Sequence, residues 1–261
     1  MSIHPTAIIE DGAELGDDVK IGPFCHVGPR ARIQSGAALK AHVVVSGATE
    51  IGARTFVYPF AALGGPPQHL GFKNEITELV IGADCIIREH VTMNPGTEAG
   101  GGVTRVGARG FFMVGAHIAH DCQVGDDVIM ANNATIAGHV RVGAGAFFGG
   151  LCAIHQHCRI GVAAFVSGCA AVAEDIIPYG SATGNRAYLA GLNVIGMKRR
   201  GMGREQIHAL RGAYRILFGN ERTFKARIKE ARSQFGAHEE VAHMLDFVDA
   251  KSARPLMTPA R

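Results

Sequence analysis

A large apolar residue recurs at every sixth position of this 261-residue chain, and that period constrains the fold more than any other feature. It runs from Ile3, Ile9 and Leu15 to Leu63, resumes at Ile81, Ile87 and Met93, and after a one-residue slip continues from Val106 to Val172, 26 positions in all. With hydrophobic residues at 47% of the chain, chance agreement at every one of them falls below about one in 10^8, so the period is structural. Four residues after the large residue stands a small one, as at Ala13, Ala31, Ala37 and Ala61, and Gly often follows it directly, as at Gly22, Gly52 and Gly143. Six residues do not match a 3.6-residue helix. They match a short extended side and a tight turn, with β-branched residues on the side and Gly at the bend.

Such a side cannot bury its face alone and must stack on copies of itself. The pattern resembles the hexapeptide-repeat left-handed parallel β-helix, in which three sides close a coil of 18 residues, and the resemblance spans about residues 3 to 178. The expected class is mainly β, a left-handed parallel β-helix over 1–190 followed by a small C-terminal α-helical domain over 191–261. Five of the six cysteines, Cys25, Cys85, Cys122, Cys152 and Cys158, fall at the small inward position and read as filler; only Cys169 does not. Two stretches break the tiling, 64–78 and 98–105. The first keeps the 18-residue phase, because Leu63 and Ile81 are 18 apart, which predicts a loop that leaves and returns. Loops raised from a rigid scaffold are where ligands are commonly held.

After Pro178 a Gly- and Asn-rich linker leads into helical periodicity, with helices expected near 204–218, 222–235 and 238–250. Residues 193–232 hold 11 Lys or Arg against 3 Asp or Glu, so a chain of formal net charge +3 carries a local excess of +8 and a remainder of −5. That face suits an acidic partner or phosphates; a merely solvated helix surface is the plain alternative. The small overall balance gives no reason to expect nucleic acid. Charged residues at 19% exclude a disordered chain, and 35 Gly with 10 Pro exclude long helices throughout. The N-terminus has no signal-peptide pattern and no apolar run reaches membrane-spanning length, so a cytoplasmic protein with reduced thiols is expected.

A coil of 18 stacks His120 with Gly138 and Gln156, Asp121 with His139 and His157, and Ala119 with Ala137 and His155; His117 is close in sequence. A single corner His reads as a solvated turn residue, but five within 117–157 read as a site. The available chemistry is acid/base: a neutral imidazole takes a proton from a hydroxyl and a neighbouring carboxylate holds its tautomer. His120 and Asp121 supply that pair, although neighbours in extended chain often point apart and Asp121 reads equally as a turn former. Gly138 is either a turn glycine or an N–H donor to an oxyanion.

The strings GAHIAHDCQVG (115–125), ANNATIAGHV (131–140), IHQHCRIG (154–161) and NVIGMKRRG (193–201) resemble the UDP-N-acetylglucosamine O-acyltransferases that begin lipid A synthesis, over nearly the full length. The resemblance implies that His120 is the general base, supported by Asp121, with Gly138 as oxyanion donor. An (R)-3-hydroxyacyl group would pass from acyl carrier protein to the sugar 3-hydroxyl, with no cofactor and no metal. Gln68, His117, His139, His155 and Gln156 would line the substrate pocket, Asn193, Arg199 and Arg200 would reach the nucleotide or its phosphates, and Gly168 would leave the acyl groove deep. The basic helices would dock the acidic carrier, and active sites would lie between subunits of a homotrimer. Departures fall on the acceptor side: Gln68-His69-Leu70-Gly71 stands where an acidic residue and a lysine are common, with Lys73 displaced. Met93 to Thr97 replaces a stretch with His and Arg, His157 an aromatic, and Ile195 an acid. Transfer to a 3-amino analogue of the sugar is the alternative. More distant ones are a trimeric hydratase resembling the gamma carbonic anhydrases, with its metal on His117, His120, His139 and His155, and a β-helix without activity. The sibling N-acyltransferase carries an additional N-terminal domain, whereas tiling here begins at Ile3.

Overall fold

A computed structural model describes residues 1–260 of the chain. Short strands, most of two residues and closing on the large apolar residue of the repeat, alternate with tight turns. Along the repeat each strand pairs in parallel with the third strand along the chain, so three sheets form, of eleven, nine and eight strands, here called the first, second and third sheets; only the two strands that end the first sheet depart from this. Ile21 pairs with Leu39 in the first, Val27 with Val45 in the second and Ile33 with Ile51 in the third, each 18 residues on. The result is the triangular prism of a left-handed parallel β-helix.

The large residues of the repeat point inward and are buried, Phe112 and Phe148 being the bulkiest that water does not reach. Each contributes on the order of 1.5–3 kcal/mol by burial. The first coil has a neighbour on one side only, which leaves Ile3 exposed and Ile9 and Leu15 half-buried. Cys25, Cys85, Cys122, Cys152 and Cys158 are buried inside the prism while Cys169 is exposed. Burial pushes the Cys122, Cys152 and Cys158 thiols up to about 12, so at neutral pH they are inert thiols rather than nucleophilic thiolates.

The first interruption does not keep the 18-residue phase expected of it. Ile51 pairs with Ile81 and Ile81 with Val106, so these two coils are enlarged to 30 and 25 residues by the insertions. Leu63 and Ile81 are therefore successive sides of one coil and do not stack on each other. Twelve extra residues preserve a six-residue phase without preserving an 18-residue one, which is why the spacing misled. Both insertions leave the prism at one corner, where the second sheet passes to the third.

The segment expected as a linker is a strand pair. Gly180–Thr183 and Tyr188–Leu192 form an antiparallel hairpin on the end of the first sheet, and the expected domain boundary at 190/191 falls inside its second strand. Four helices follow: α1 (Val194–Arg199), α2 (Arg204–Leu217), α3 (Phe224–Phe235) and α4 (Glu239–Asp249). The last three start and stop within two residues of the expected bounds, whereas six-residue α1 is too short to show a period. Leu210 and Leu217 of α2, Ile228 of α3 and Leu245 of α4 are buried together in their core. Beyond α4 the chain returns to the prism: Met257 is fully buried, its N–H donates to the Asp175 carbonyl at 2.8 Å, and Asp175 N–H donates to the Pro255 carbonyl at 2.8 Å. Among the described residues no helix is long and apolar enough to cross a membrane.

Candidate active site

Asp121 adopts φ 62, the left-handed region, and this is what brings its carboxylate back beside the preceding His120 rather than to the opposite side of the chain. His120 Nδ1 lies 2.7 Å from Asp121 Oδ2, and the two side chains are 5% and 0% exposed. Asp121 Oδ1 also accepts from Thr97 N–H at 2.8 Å and Oδ2 from the Thr97 hydroxyl at 2.7 Å. Asp121 N–H in turn donates to the Thr104 hydroxyl at 2.7 Å. Burial pushes the Asp121 carboxyl up, but the hydrogen bonds from His120 and Thr97 together outweigh it and hold the group below its ordinary value. An ionised Asp121 requires the proton of His120 on Nδ1, which leaves Nε2 with a free lone pair.

The second insertion roofs this pair. Thr97 caps the short turn Glu98–Gly100, and a Cβ on Gly100 would lie 2.1 Å from Asp121 Cγ. Only glycine lets the roof come down onto the carboxylate. Gly138 provides clearance on the other side: a Cβ there would lie 2.5 Å from His120 Cε1 and 2.7 Å from Nε2. Unlike the N–H groups of Ala137 and His139, that of Gly138 donates to no backbone carbonyl among the described residues.

Further imidazoles surround His120. His139 stands one coil on, its ring 5.1 Å from that of His120 and edge-on to it, and stacks on His157 at 4.5 Å. From the first insertion His69 brings its ring to 5.1 Å from His120, while Gln68 beside it is exposed. His117 lies on the second sheet, its Nδ1 2.7 Å from the Thr92 hydroxyl. Burial, above all, pushes both His117 and His139 below the ordinary imidazole value, so both are neutral at pH 7. His155 and Gln156 are exposed on the following coil. His120, Asp121 and His139 offer ligand atoms within 4.8 Å of one another, but the carboxylate oxygens already accept three hydrogen bonds. A metal there would compete with Thr97 and with His120 itself.

The remaining expected residues are elsewhere on the chain. Asn193 caps α1, accepting from Gly196 N–H at 2.9 Å and donating to the Ala163 carbonyl at 3.0 Å. Arg200 donates to the Gly145 carbonyl at 2.6 Å. With Arg199 they border a cavity of about 580 Å³ against Phe147 and Phe165 of the first sheet, the side of the prism opposite the His120 corner. Gly168 is exposed at the corner between the first and second sheets. A single chain thus assembles His120, Asp121, Gly138, His139 and His69 at one corner and Asn193, Arg199 and Arg200 on the facing side. Sequence reasoning missed Gly100 and Thr104, which with Thr97 the enlarged coil of 25 residues places below Asp121, and it noted Thr97 and His69 only as parts of departures.

The sequence matches the family described as UDP N-acetylglucosamine O-acyltransferase, domain 2, over residues 175–257, and bacterial transferase hexapeptide repeats over 12–47. An acyl-[acyl-carrier-protein]–UDP-N-acetylglucosamine O-acyltransferase from Caulobacter vibrioides is 56% identical over 261 residues, covering 100% of this chain and 99% of that protein. A protein of the same description from Azorhizobium caulinodans is 56% identical over 259 residues, covering 99% and 96%. Among solved structures, UDP-N-acetylglucosamine O-acyltransferase from Moraxella catarrhalis superposes with a TM-score of 0.95 at 37% identity, covering 98% of this chain and 100% of that one. The UDP-N-acetylglucosamine acyltransferase from Campylobacter jejuni does so with a TM-score of 0.93 at 37% identity, covering 99% and 100%.

Proposed function

Because the chain belongs to the acyl-[acyl-carrier-protein]–UDP-N-acetylglucosamine O-acyltransferase family, we propose that it carries an (R)-3-hydroxyacyl group from acyl carrier protein to the 3-position of UDP-N-acetylglucosamine, the opening step of lipid A synthesis, in the cytoplasm. The observation that supports a reaction centre at His120 is its buried 2.7 Å pair with Asp121, which leaves Nε2 free as a base. His120 Nε2 takes the proton of the sugar 3-hydroxyl as its oxygen attacks the thioester carbonyl. A C–O bond forms and the carbonyl oxygen becomes an oxyanion, stabilised by the Gly138 N–H. Collapse breaks the C–S bond, and the imidazolium, held by Asp121, returns its proton to the departing thiolate. A positioned base contributes about 10²–10⁴-fold and one oxyanion donor about 10²–10³-fold. Every group needed for this balance belongs to the protein or the two substrates, so no cofactor enters.

The placement of Asn193, Arg199 and Arg200 opposite the His120 corner supports a homotrimer. Each copy offers its corner to the α1 cavity of the next, and contacts between unlike patches close as a ring. Arginine is suited to the nucleotide phosphates in that cavity. His117, His139, His155, Gln156 and Gln68 line the rest of the pocket, Gly168 leaves room for a long acyl chain, and the +8 stretch docks the acidic carrier.

The acceptor side favours testing a second sugar. Where an acid and a lysine are common, His69 and Gly71 stand together: Gly71 N–H donates to His69 Nδ1 at 3.2 Å, and a Cβ at 71 would lie 2.8 Å from the His69 ring. Wild type and His120→Ala are to be offered UDP-N-acetylglucosamine or its 3-amino analogue, with 3-hydroxyacyl carrier proteins of several lengths. The wild type is expected to acylate at least one sugar and the variant to lose about 10²–10⁴ in kcat. Transfer to neither sugar defeats the function, and full activity of the variant defeats the mechanism. Mixed oligomers of His120→Ala and Arg200→Ala protomers are expected to recover part of the activity, which they cannot do if each chain holds a whole site.

A further inference from the structure

The C-terminal strap after α4 places one arginine on two residues of the pocket. The strap is fixed to the prism: Asp175 N–H donates to the Pro255 carbonyl, Met257 N–H to the Asp175 carbonyl, and Leu189 N–H to the Thr258 carbonyl at 2.9 Å. Its anchor is rigid in turn, since the fully buried Asp175 accepts from Arg159 Nε at 2.6 Å and from Arg159 N–H at 2.7 Å. From this support Arg254, half-buried, donates through Nε to the Gln156 carbonyl at 2.9 Å and through Nη2 to His155 Nδ1. The Gln156 carbonyl lies 3.3 Å from the same Nδ1, but Arg254 is the closer partner of both, and a guanidinium has five donors and no acceptor, so beside it His155 Nδ1 accepts. The proton of a neutral His155 then sits on Nε2.

We propose that Arg254 is a positioning residue for the transfer reaction: it locks His155 as an Nε2–H donor and holds the Gln156 backbone above Gly138, so that both meet a carbonyl or phosphate oxygen of a substrate in one fixed geometry. The inference rests on the function proposed above. Its chemistry is that of a rigid fork. Two donors of one planar group meet two acceptors from successive residues, an arrangement a lysine ammonium cannot copy. Gln156 shares its column with His120 and Gly138, and His157 N–H donates to the Gly138 carbonyl at 3.1 Å, so Arg254 sets the coil that lies directly on the reaction corner. The strap thereby ties the basic helical tail, where the carrier docks, to the place where its thioester reacts.

The test combines two-substrate kinetics with ¹⁵N NMR of the His155 ring in full-length protein, for wild type, Arg254→Ala, Arg254→Lys and Arg254→Gln. Wild type is expected to show the proton on His155 Nε2, and all three variants a mixture of tautomers. Arg254→Ala is expected to raise KM for one substrate about tenfold, the loss of one charge-assisted hydrogen bond, with kcat changed less than about threefold. A KM effect on the acyl carrier thioester assigns the oxygen to the donor arm, and one on the UDP-sugar assigns it to the nucleotide sugar. Arg254→Gln keeps one donor for the Gln156 carbonyl, which preserves the strap contact while removing the His155 lock, so it separates loss of positioning from loss of folding. A wild-type proton on Nδ1, or unchanged KM values for both substrates in Arg254→Ala and Arg254→Gln, overturns the proposal. If the wild type transfers to neither sugar, the proposed function fails, and the NMR arm still decides whether Arg254 sets the tautomer.

Discussion

At the corner between the third and first sheets, Arg54, Asp84, Arg109 and Asp127 occupy the left-handed position of successive coils, as Asp121, His139 and His157 do at the corner between the second and third. Both corners stack charged or titratable side chains at one strand spacing. At the first, Arg54 meets Asp84 at 2.6 Å and Arg109 meets Asp127 at 2.8 Å, with the side chains largely in water. At the second, Asp121 has no exposed side-chain surface and accepts from His120 and Thr97. The backbone unit is the same, and the difference is the roof. Both insertions emerge over the second corner, so its charges interact in a dry environment where geometry decides protonation, whereas the open ladder is screened by water and salt.

One conservative change at each corner separates the two most strongly. Asp121→Asn keeps the shape but cannot hold the proton of His120 on Nδ1, and kcat is expected to fall about 10²–10⁴-fold, while Asp84→Asn leaves steady-state kinetics within about twofold of wild type. Equal effects would show that the roof does not matter. A test of the roof itself compares neighbouring glycines. Gly100→Ala pushes a Cβ into Asp121 and is expected to lower kcat at least about tenfold and to reduce thermal stability. Gly101→Ala meets no atom within 4 Å and is expected to show only the cost of its positive φ, about 1 kcal/mol, in melting temperature.

A smaller effect separates the corners by pH. His117 and His139 have folded values below the ordinary imidazole value, so the unfolded chain binds protons first as pH falls past about 6.5. Stability is full above that pH and declines below it. Melting curves from pH 8 to 5.5 are expected to show this slope in wild type and a flatter one in His117→Asn; an unchanged slope would count against neutral buried imidazoles. Asp121, held below its ordinary value, adds stability that is lost only in a lower window, as pH falls below about 4 toward its folded value, and Asp121→Asn removes that loss. Least affected is the open ladder: Arg109→Ala is expected to leave melting temperature unresolved from wild type at high salt, and a salt-resistant drop would show that this corner, too, is sheltered.

The His120 pair was legible in the sequence because the period places it in a column, but its contact was not. Whether Asp121 faces His120 depends on one left-handed φ, and a turn residue at that position is no different by composition from Asp84 or Asp127. Thr97 and Thr104 gave no motif, since their relation to Asp121 runs through an insertion whose length changes the stacking register. Helices α2 to α4 showed themselves by apolar stripes. The hairpin at 180–192 did not, because Gly180, Ser181 and Gly191 read as turn residues and pair only where the edge of the first sheet receives them.

The six-residue tile, the inward rows, the burial of five cysteines and the column that holds His120 could be read from residues alone, because each follows from a local period repeated without regard to distant residues. Which corner is roofed, which oxygen faces which donor, and that Asn193, Arg199 and Arg200 face away from His120 within one chain follow instead from how the coils and insertions pack. The contacts that fix them include Thr97 to Asp121, 24 residues apart, and Arg200 to Gly145, 55 apart, and their energies depend on exclusion of water, a property of the assembled surface that no stretch of chain carries alone.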